Sequence, residues 1–140
     1  MSRKTTLKWY ARKQKPEAVT WHVGDWGSRL LFKARTGTLE VNARNREGGD
    51  QRCNCRTGEI ETVEHLIAEC SKYEDQREIL IRLIESVIGQ QEWSRRVEEE
   101  DLAICTVLGL YGEKESRNRI IEFTKVFLTQ CWEKRAQSVE

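Results

Sequence analysis

An all-α fold is what this sequence predicts: one small helical domain organised around a cluster of cysteines and a histidine. Three observations carry it. Apolar residues recur at helical spacing over two long stretches, residues 73–88 and 115–135. The chain has one proline, Pro16, so no later residue of that type breaks a long helix. Residues 53–70 read C-x-C-x9-H-x4-C, three thiols and one imidazole on a short loop and the start of a helix.

Taken in order, residues 1–27 read as a basic, aromatic arm and residues 28–140 as the helical domain. Residues 1–14 can form a basic helix held by Leu7, Trp9, Tyr10 and Ala11, ended by Pro16. Trp21 to Gly27 reads as a loop with two aromatics and two glycines. His22 in it is either a ligand or base, or a satisfied structural histidine among aromatics, which is the commoner case. Ser28 is the expected N-cap of a helix over Arg29–Arg35, with Leu30, Leu31 and Ala34 inward and Arg29, Lys33 and Arg35 outward. Gly37 should end it. Leu39–Ala43 is too short to separate helix from extended chain, and Gly48-Gly49-Asp50 marks a turn.

Thr62 is a fitting cap for a helix opening at Val63, which carries His65 in its first turn. Tyr73, Leu80, Leu83, Ile84, Val87 and Ile88 form a helical stripe widened by Ile79 and Ile81, and Gly89 suits its end. Trp93 opens a short polar helix, and Glu98–Asp101 reads as a solvated turn or helix start. Leu102–Tyr111 predicts a buried helix bounded by Gly109 and Gly112. Glu115–Arg135 predicts a long amphipathic helix with Ile120, Ile121, Thr124, Phe127, Leu128 and Cys131 on one face, flanked by Phe123 and Trp132. Cys105 and Cys131 fit as buried small hydrophobes.

Cys53, Cys55, His65 and Cys70 make a Cys₃His set, which matches the four N/S ligands of a closed structural Zn²⁺ site. Gly58 between them can supply a turn with positive φ. The alternative is a pair of reduced loop cysteines, a surface histidine and a buried cysteine. Disulfides are disfavoured, because Cys53 and Cys55 are too close to pair comfortably and five cysteines leave one over. His65 and Cys70 are five residues apart, roughly 140° around an ideal helix. For both to face one ion, the helix must end or tighten just before Cys70.

The chain has no secretory leader and no apolar run of membrane-spanning length, which predicts an intracellular protein, nuclear or cytoplasmic, with reduced cysteines. Its net charge of +1 conceals a split: residues 1–56 carry 13 Lys+Arg against 5 Asp+Glu, and residues 57–140 carry 11 against 18. The basic half either offers a surface to an anionic partner or neutralises the acidic half on folding.

Leu30-Leu-Phe-Lys-Ala-Arg35-Thr-Gly37-Thr-Leu39-Glu-Val-Asn42, then Cys53-Asn-Cys55, then Glu61-Thr-Val-Glu-His65-Leu-Ile-Ala-Glu-Cys70-Ser-Lys-Tyr73 resembles the carboxy-terminal segment of non-LTR (LINE-type) retrotransposon polyproteins. There an R-T-G…L-N turn precedes a Cys/His knuckle followed by E-T-x-E-H-x-x-x-x-C-P-x-Y. The resemblance covers about residues 28–77, and more weakly Leu108-Gly-Leu and the last helix; Ser71 stands where that family has Pro. With no polymerase or endonuclease region, the chain reads as an excised tail or a stand-alone copy. The resemblance implies a non-catalytic accessory region that holds RNA or DNA, with Cys53, Cys55, His65 and Cys70 as zinc ligands.

Two functions are therefore expected, neither of them enzymatic, since a closed Cys₃His site keeps no open position for water. The first is zinc-dependent nucleic-acid binding, with Lys8, Arg12, Lys13, Lys15, Lys33, Arg44, Arg46, Arg52 and Arg56 on phosphates and the N-terminal tryptophans either stacking on bases or buried in the core. The second is a zinc-stabilised protein-interaction or regulatory module, homodimeric if the stripe of the last helix meets its own copy rather than packing on residues 73–88.

Overall fold

The computed structural model describes residues 25–41, 51–53, 55 and 58–137, with the side chain of Gln137 left aside. The expectations for the arm, for Ala43, for the 48–50 turn and for His22 lie outside them. The described chain is all-α: α1 Trp26–Thr36, α2 Glu74–Ile88, α3 Gln90–Val97, α4 Glu100–Val107 and α5 Lys114–Gln137. Between α1 and α2 lie a π-helical turn, His65–Glu69, and a 3₁₀ turn, Ser71–Tyr73. The β pairing among these residues is one isolated antiparallel bridge, Arg52 to Ile60. No helix among them is long and apolar enough to cross a membrane.

The cap of helix α1 lies three residues before the expected one. Asp25, not Ser28, is the N-cap, its Oδ1 accepting the Ser28 N–H at 2.7 Å. Ser28 is buried in the first turn instead. Trp26 and Gly27 belong to the helix rather than to a loop. Gly27 is required by packing: a Cβ there would sit 2.9 Å from Lys125 Cβ on α5, so the two helices cross at their closest where no side chain intervenes. The chain leaves α1 through Gly37 (φ 77), and Leu39 and Val41 then bury themselves without forming a helix or strand.

The α5 face expected from the sequence is the spine of the core. Ile120, Ile121, Thr124, Phe127, Leu128 and Cys131 are all buried, packed against α1, α2 and α4. That stripe is thus occupied within one chain, by residues 73–88 among others, and does not face outward for a second copy. Cys105 and Cys131 are fully buried, as small hydrophobes should be. On α2, only Leu80 and Ile84 are buried; Ile79 and Leu83 are exposed, so the apolar arc is wider than the contact it makes. Trp93 lies buried in the middle of α3, not at its start, and Glu100 and Asp101 open α4.

Arg35 departs from the expected outward position. Its guanidinium is buried and donates to the carbonyls of Leu108 (2.8 Å) and Gly109 (3.3 Å), clamping α1 to the end of α4. The basic half is therefore joined to the acidic half by helix packing and this clamp, independently of the cysteine loop.

Candidate metal centre

The loop carrying the first two cysteines is a short ribbon. Cys53 N–H donates to Glu59 C=O (2.7 Å) and Glu61 N–H to Gln51 C=O (2.9 Å), on either side of the Arg52–Ile60 bridge. Gly58, at φ 64, closes it with an N–H bond to the Cys55 carbonyl. The other two ligands come from the turn that follows. Thr62 caps it as expected, its Oγ1 accepting the His65 N–H at 3.0 Å.

The backbone then widens rather than tightens. Cys70 N–H bonds to His65 C=O at 2.8 Å, five residues back, and Cys70 itself is extended. A wider turn brings residue i+5 back over residue i, which removes the angular offset an α-helix imposes. His65 and Cys70 thus share one side, and the helix ends where the geometry demands.

The result is compact. The sulfurs of Cys53 and Cys70 are 3.6 Å apart, Cys55 Sγ is 3.3 Å from His65 Nε2, and all four ligand atoms lie within 4.8 Å of one another. Cys53, His65 and Cys70 are buried and Cys55 half-buried, and none of the three cysteines is in a disulfide. Burial pushes the Cys53 thiol up to about 12, with the Cys70 and Cys55 sulfurs adding to it, and burial likewise raises Cys70. Bare thiols at Cys53 and Cys70 keep their protons at neutral pH, so it takes a cation to make them thiolates. The arrangement is that of a site able to hold one metal ion.

Four side chains to which the sequence reading gave no role support the centre. Arg77 donates to the carbonyls of Ile67 (2.7 Å), Leu66 (3.1 Å) and Cys70 (2.8 Å) at the end of the widened turn, the last of them also reached by the Tyr73 N–H at 3.3 Å. Buried Glu61 accepts a two-pronged bond from Arg135 of α5, the shorter arm 2.7 Å. Glu59 and Glu69 face His65 Nδ1. The signal for Arg77 was its register, in line with Tyr73, Leu80 and Ile84; an arginine inside an apolar stripe is bonded to something. Arg35 after Leu31 and Arg96 after Trp93 carry the same mark, Arg96 reaching Glu92 at 2.7 Å and Thr106 at 3.2 Å.

Arg77→Met should remove a charged donor from three carbonyls, at a cost of about 3 kcal/mol. The melting temperature is then expected to fall by roughly 10 °C, and metal affinity by about tenfold as the turn loosens. A melt within about 2 °C of the parent chain would refute the role given to Arg77.

Of the basic residues expected to meet phosphates, the structure places two. Arg52 is exposed beside Cys53, and Lys33 is half-buried in the last turn of α1. Lys8, Arg12, Lys13, Lys15, Arg44, Arg46 and Arg56 lie outside the described residues. The flank of the metal turn is acidic: Glu59 and Glu69 stand over His65, and Glu100 is held above the usual carboxylate range by burial and by Glu69, Glu64 and Asp101 around it. No known protein family, curated protein or solved structure matches the chain.

Proposed function

We propose that the chain is a zinc-dependent, non-catalytic nucleic-acid-binding domain, akin to the carboxy-terminal region of LINE-type retrotransposon polyproteins. The observation that carries the reading is the ligand geometry. With Zn–S near 2.3 Å and Zn–N near 2.05 Å, the edges of a tetrahedron are about 3.8 Å between sulfurs and about 3.6 Å between sulfur and nitrogen. The Cys53–Cys70 and Cys55–His65 separations of 3.6 and 3.3 Å are within a few tenths of these. Three thiolates and an imidazole are soft and borderline donors, suited to Zn²⁺ and poor for Mg²⁺ or Ca²⁺.

Nucleic acid is supported by charge. Residues 1–56 hold the excess of Lys and Arg, while the turn carrying His65 is acidic and would repel phosphates. Binding is therefore assigned to the N-terminal side of the centre, including Arg52 and Lys33. The test is fluorescence anisotropy of the zinc-loaded full chain with single- and double-stranded RNA and DNA. Affinity is expected to fall about a thousandfold or more between roughly 50 and 200 mM salt, and Arg52→Ala to reduce the salt slope by about one. No binding at low salt to any of the four ends the proposal.

The second reading, a zinc-stabilised protein-interaction module, is favoured by one observation: Ile79 and Leu83 lie four residues apart on α2, 58% and 37% exposed.

A further inference from the structure

His65 is 3% exposed, and its Nδ1 has no hydrogen-bond partner. A buried imidazole nitrogen in that state is costly, and something must answer it. Two carboxylates stand at its edge: Glu69 Oε1 at 3.5 Å, from the same turn, and Glu59 Oε1 at 3.6 Å, from the ribbon. With His65 Nδ1 they make a second group of potential ligand atoms within 4.8 Å of one another.

The shared histidine decides between two uses of that group. A neutral imidazole has one lone pair and one N–H. His65 Nε2 lies 3.3 Å from Cys55 Sγ, so with a metal ion among the sulfurs its lone pair belongs to the cysteine side. The proton then sits on Nδ1, which can donate to a carboxylate but cannot bind a second cation.

We propose that Glu59 and Glu69 are positioning residues: they accept the Nδ1–H of His65, hold it in the tautomer that offers Nε2 to the metal, and so tighten binding of Zn²⁺. The inference rests on the zinc reading above. The two acceptors approach from the two segments that carry the ligands, the ribbon with Cys53 and Cys55 and the turn with Cys70. Each needs to move only a few tenths of an ångström to reach bonding distance. Their charges also favour a dication at a site whose thiols become anionic on binding.

The experiment measures zinc affinity of the full chain by competition with a chromophoric chelator, in parallel with ¹⁵N shifts of the His65 ring in the zinc-loaded state. Glu59→Ala with Glu69→Ala is expected to weaken zinc about 10- to 100-fold; Glu59→Gln with Glu69→Gln, which keeps neutral acceptors, should fall in between. Glu64→Ala, on the same turn, serves as the control for charge alone and should change affinity by less than about threefold. The ring shifts should report Nδ1 protonated and Nε2 bound in the parent chain. Equal losses in the Glu64 variant and the double variant, or an unchanged affinity in the latter, would overturn the proposal. So would a second zinc per chain that vanishes in the double variant, since the carboxylates would then be ligands. If the parent chain itself takes up no zinc, the zinc reading has failed, and that outcome is seen before any variant is made.

Discussion

Cys70→Ser, or removal of the metal by a chelator, should dismantle residues 51–73 while leaving part of the helical core folded. The apparent binding energy of a structural zinc site is about 10–16 kcal/mol, comparable with the net stability of a whole domain. Cys70 is fully buried, and its neighbours Val63, Leu66 and Ile67 belong to the main core, so loss of the ion opens that corner. Helices α1 and α5 keep contacts that do not involve the cysteines, among them Gly27 against Lys125 and Arg35 against Leu108. The expected result is partial. Amides of Leu66, Ile67 and Cys70 lose hydrogen-exchange protection to near zero, helicity drops in part, and amides in the middle of α5 retain protection. Identical exchange with and without chelator would show that the four ligand atoms hold no ion that matters.

Metal-free chain should also acquire a pH dependence of defined sign. Burial raises the Cys53 and Cys131 thiols from an ordinary 9.0 to about 12 in the folded chain. Groups so raised stabilise the fold fully below about pH 9 and cease to do so as pH climbs toward 12, because the unfolded chain then releases protons first. With metal bound, Cys53 is a thiolate and the dependence of the site reverses, protons competing with the ion as pH falls. Thermal melts between about pH 7 and pH 10 should therefore separate the two forms more widely at the alkaline end.

Gly109→Ala is the second large effect. Gly109 has φ 74, and a Cβ there would collide with the Ile121 side chain and come within 2.9 Å of the Arg35 guanidinium. The positive φ costs about 1 kcal/mol for alanine. Overpacking against Ile121 in the α5 spine adds about 1–3 kcal/mol. Displacing Arg35 from the Leu108 and Gly109 carbonyls strands a buried cation, worth roughly another 1.5–3 kcal/mol. A total near 5 kcal/mol corresponds to a melting temperature lower by roughly 10–15 °C. Zinc stoichiometry should be unchanged, since the lock joins α1 to α4 and not the ribbon to the turn. A melt lowered by less than about 3 °C would mean that the 108–112 turn yields freely and the clamp is not tight.

Local signals in the chain carried far. The 120–131 face of α5, the Thr62 cap, the turn at Gly58 and the stop at Gly37 were each legible, because each depends on residues near one another in the chain, and the Cys₃His set was legible from its ligand chemistry and spacing. The cap of α1 was misplaced for a comparable reason: Asp25 and Ser28 are both good caps, and choosing between them needs knowledge of which one is buried. Arg35 was placed outside because charge ordinarily goes to water; only a carbonyl pair 73 and 74 residues away makes its burial favourable. The joining of the basic to the acidic half rests on α1–α5 packing and the Arg35 clamp, contacts between residues equally far apart in the chain.

What the amino-acid order determined alone is the all-α character of the chain, the stripe along its last helix and the Cys₃His set, since periodicity, capping and ligand chemistry are short-range properties. What the tertiary structure decided is how His65 and Cys70 come to one side. An α-helix forbids it, and the widened turn is held by Arg77, arriving from the next helix, whose guanidinium donates to three carbonyls at its end. That support acts between separate elements, so no window of sequence around residues 65–70 contains it.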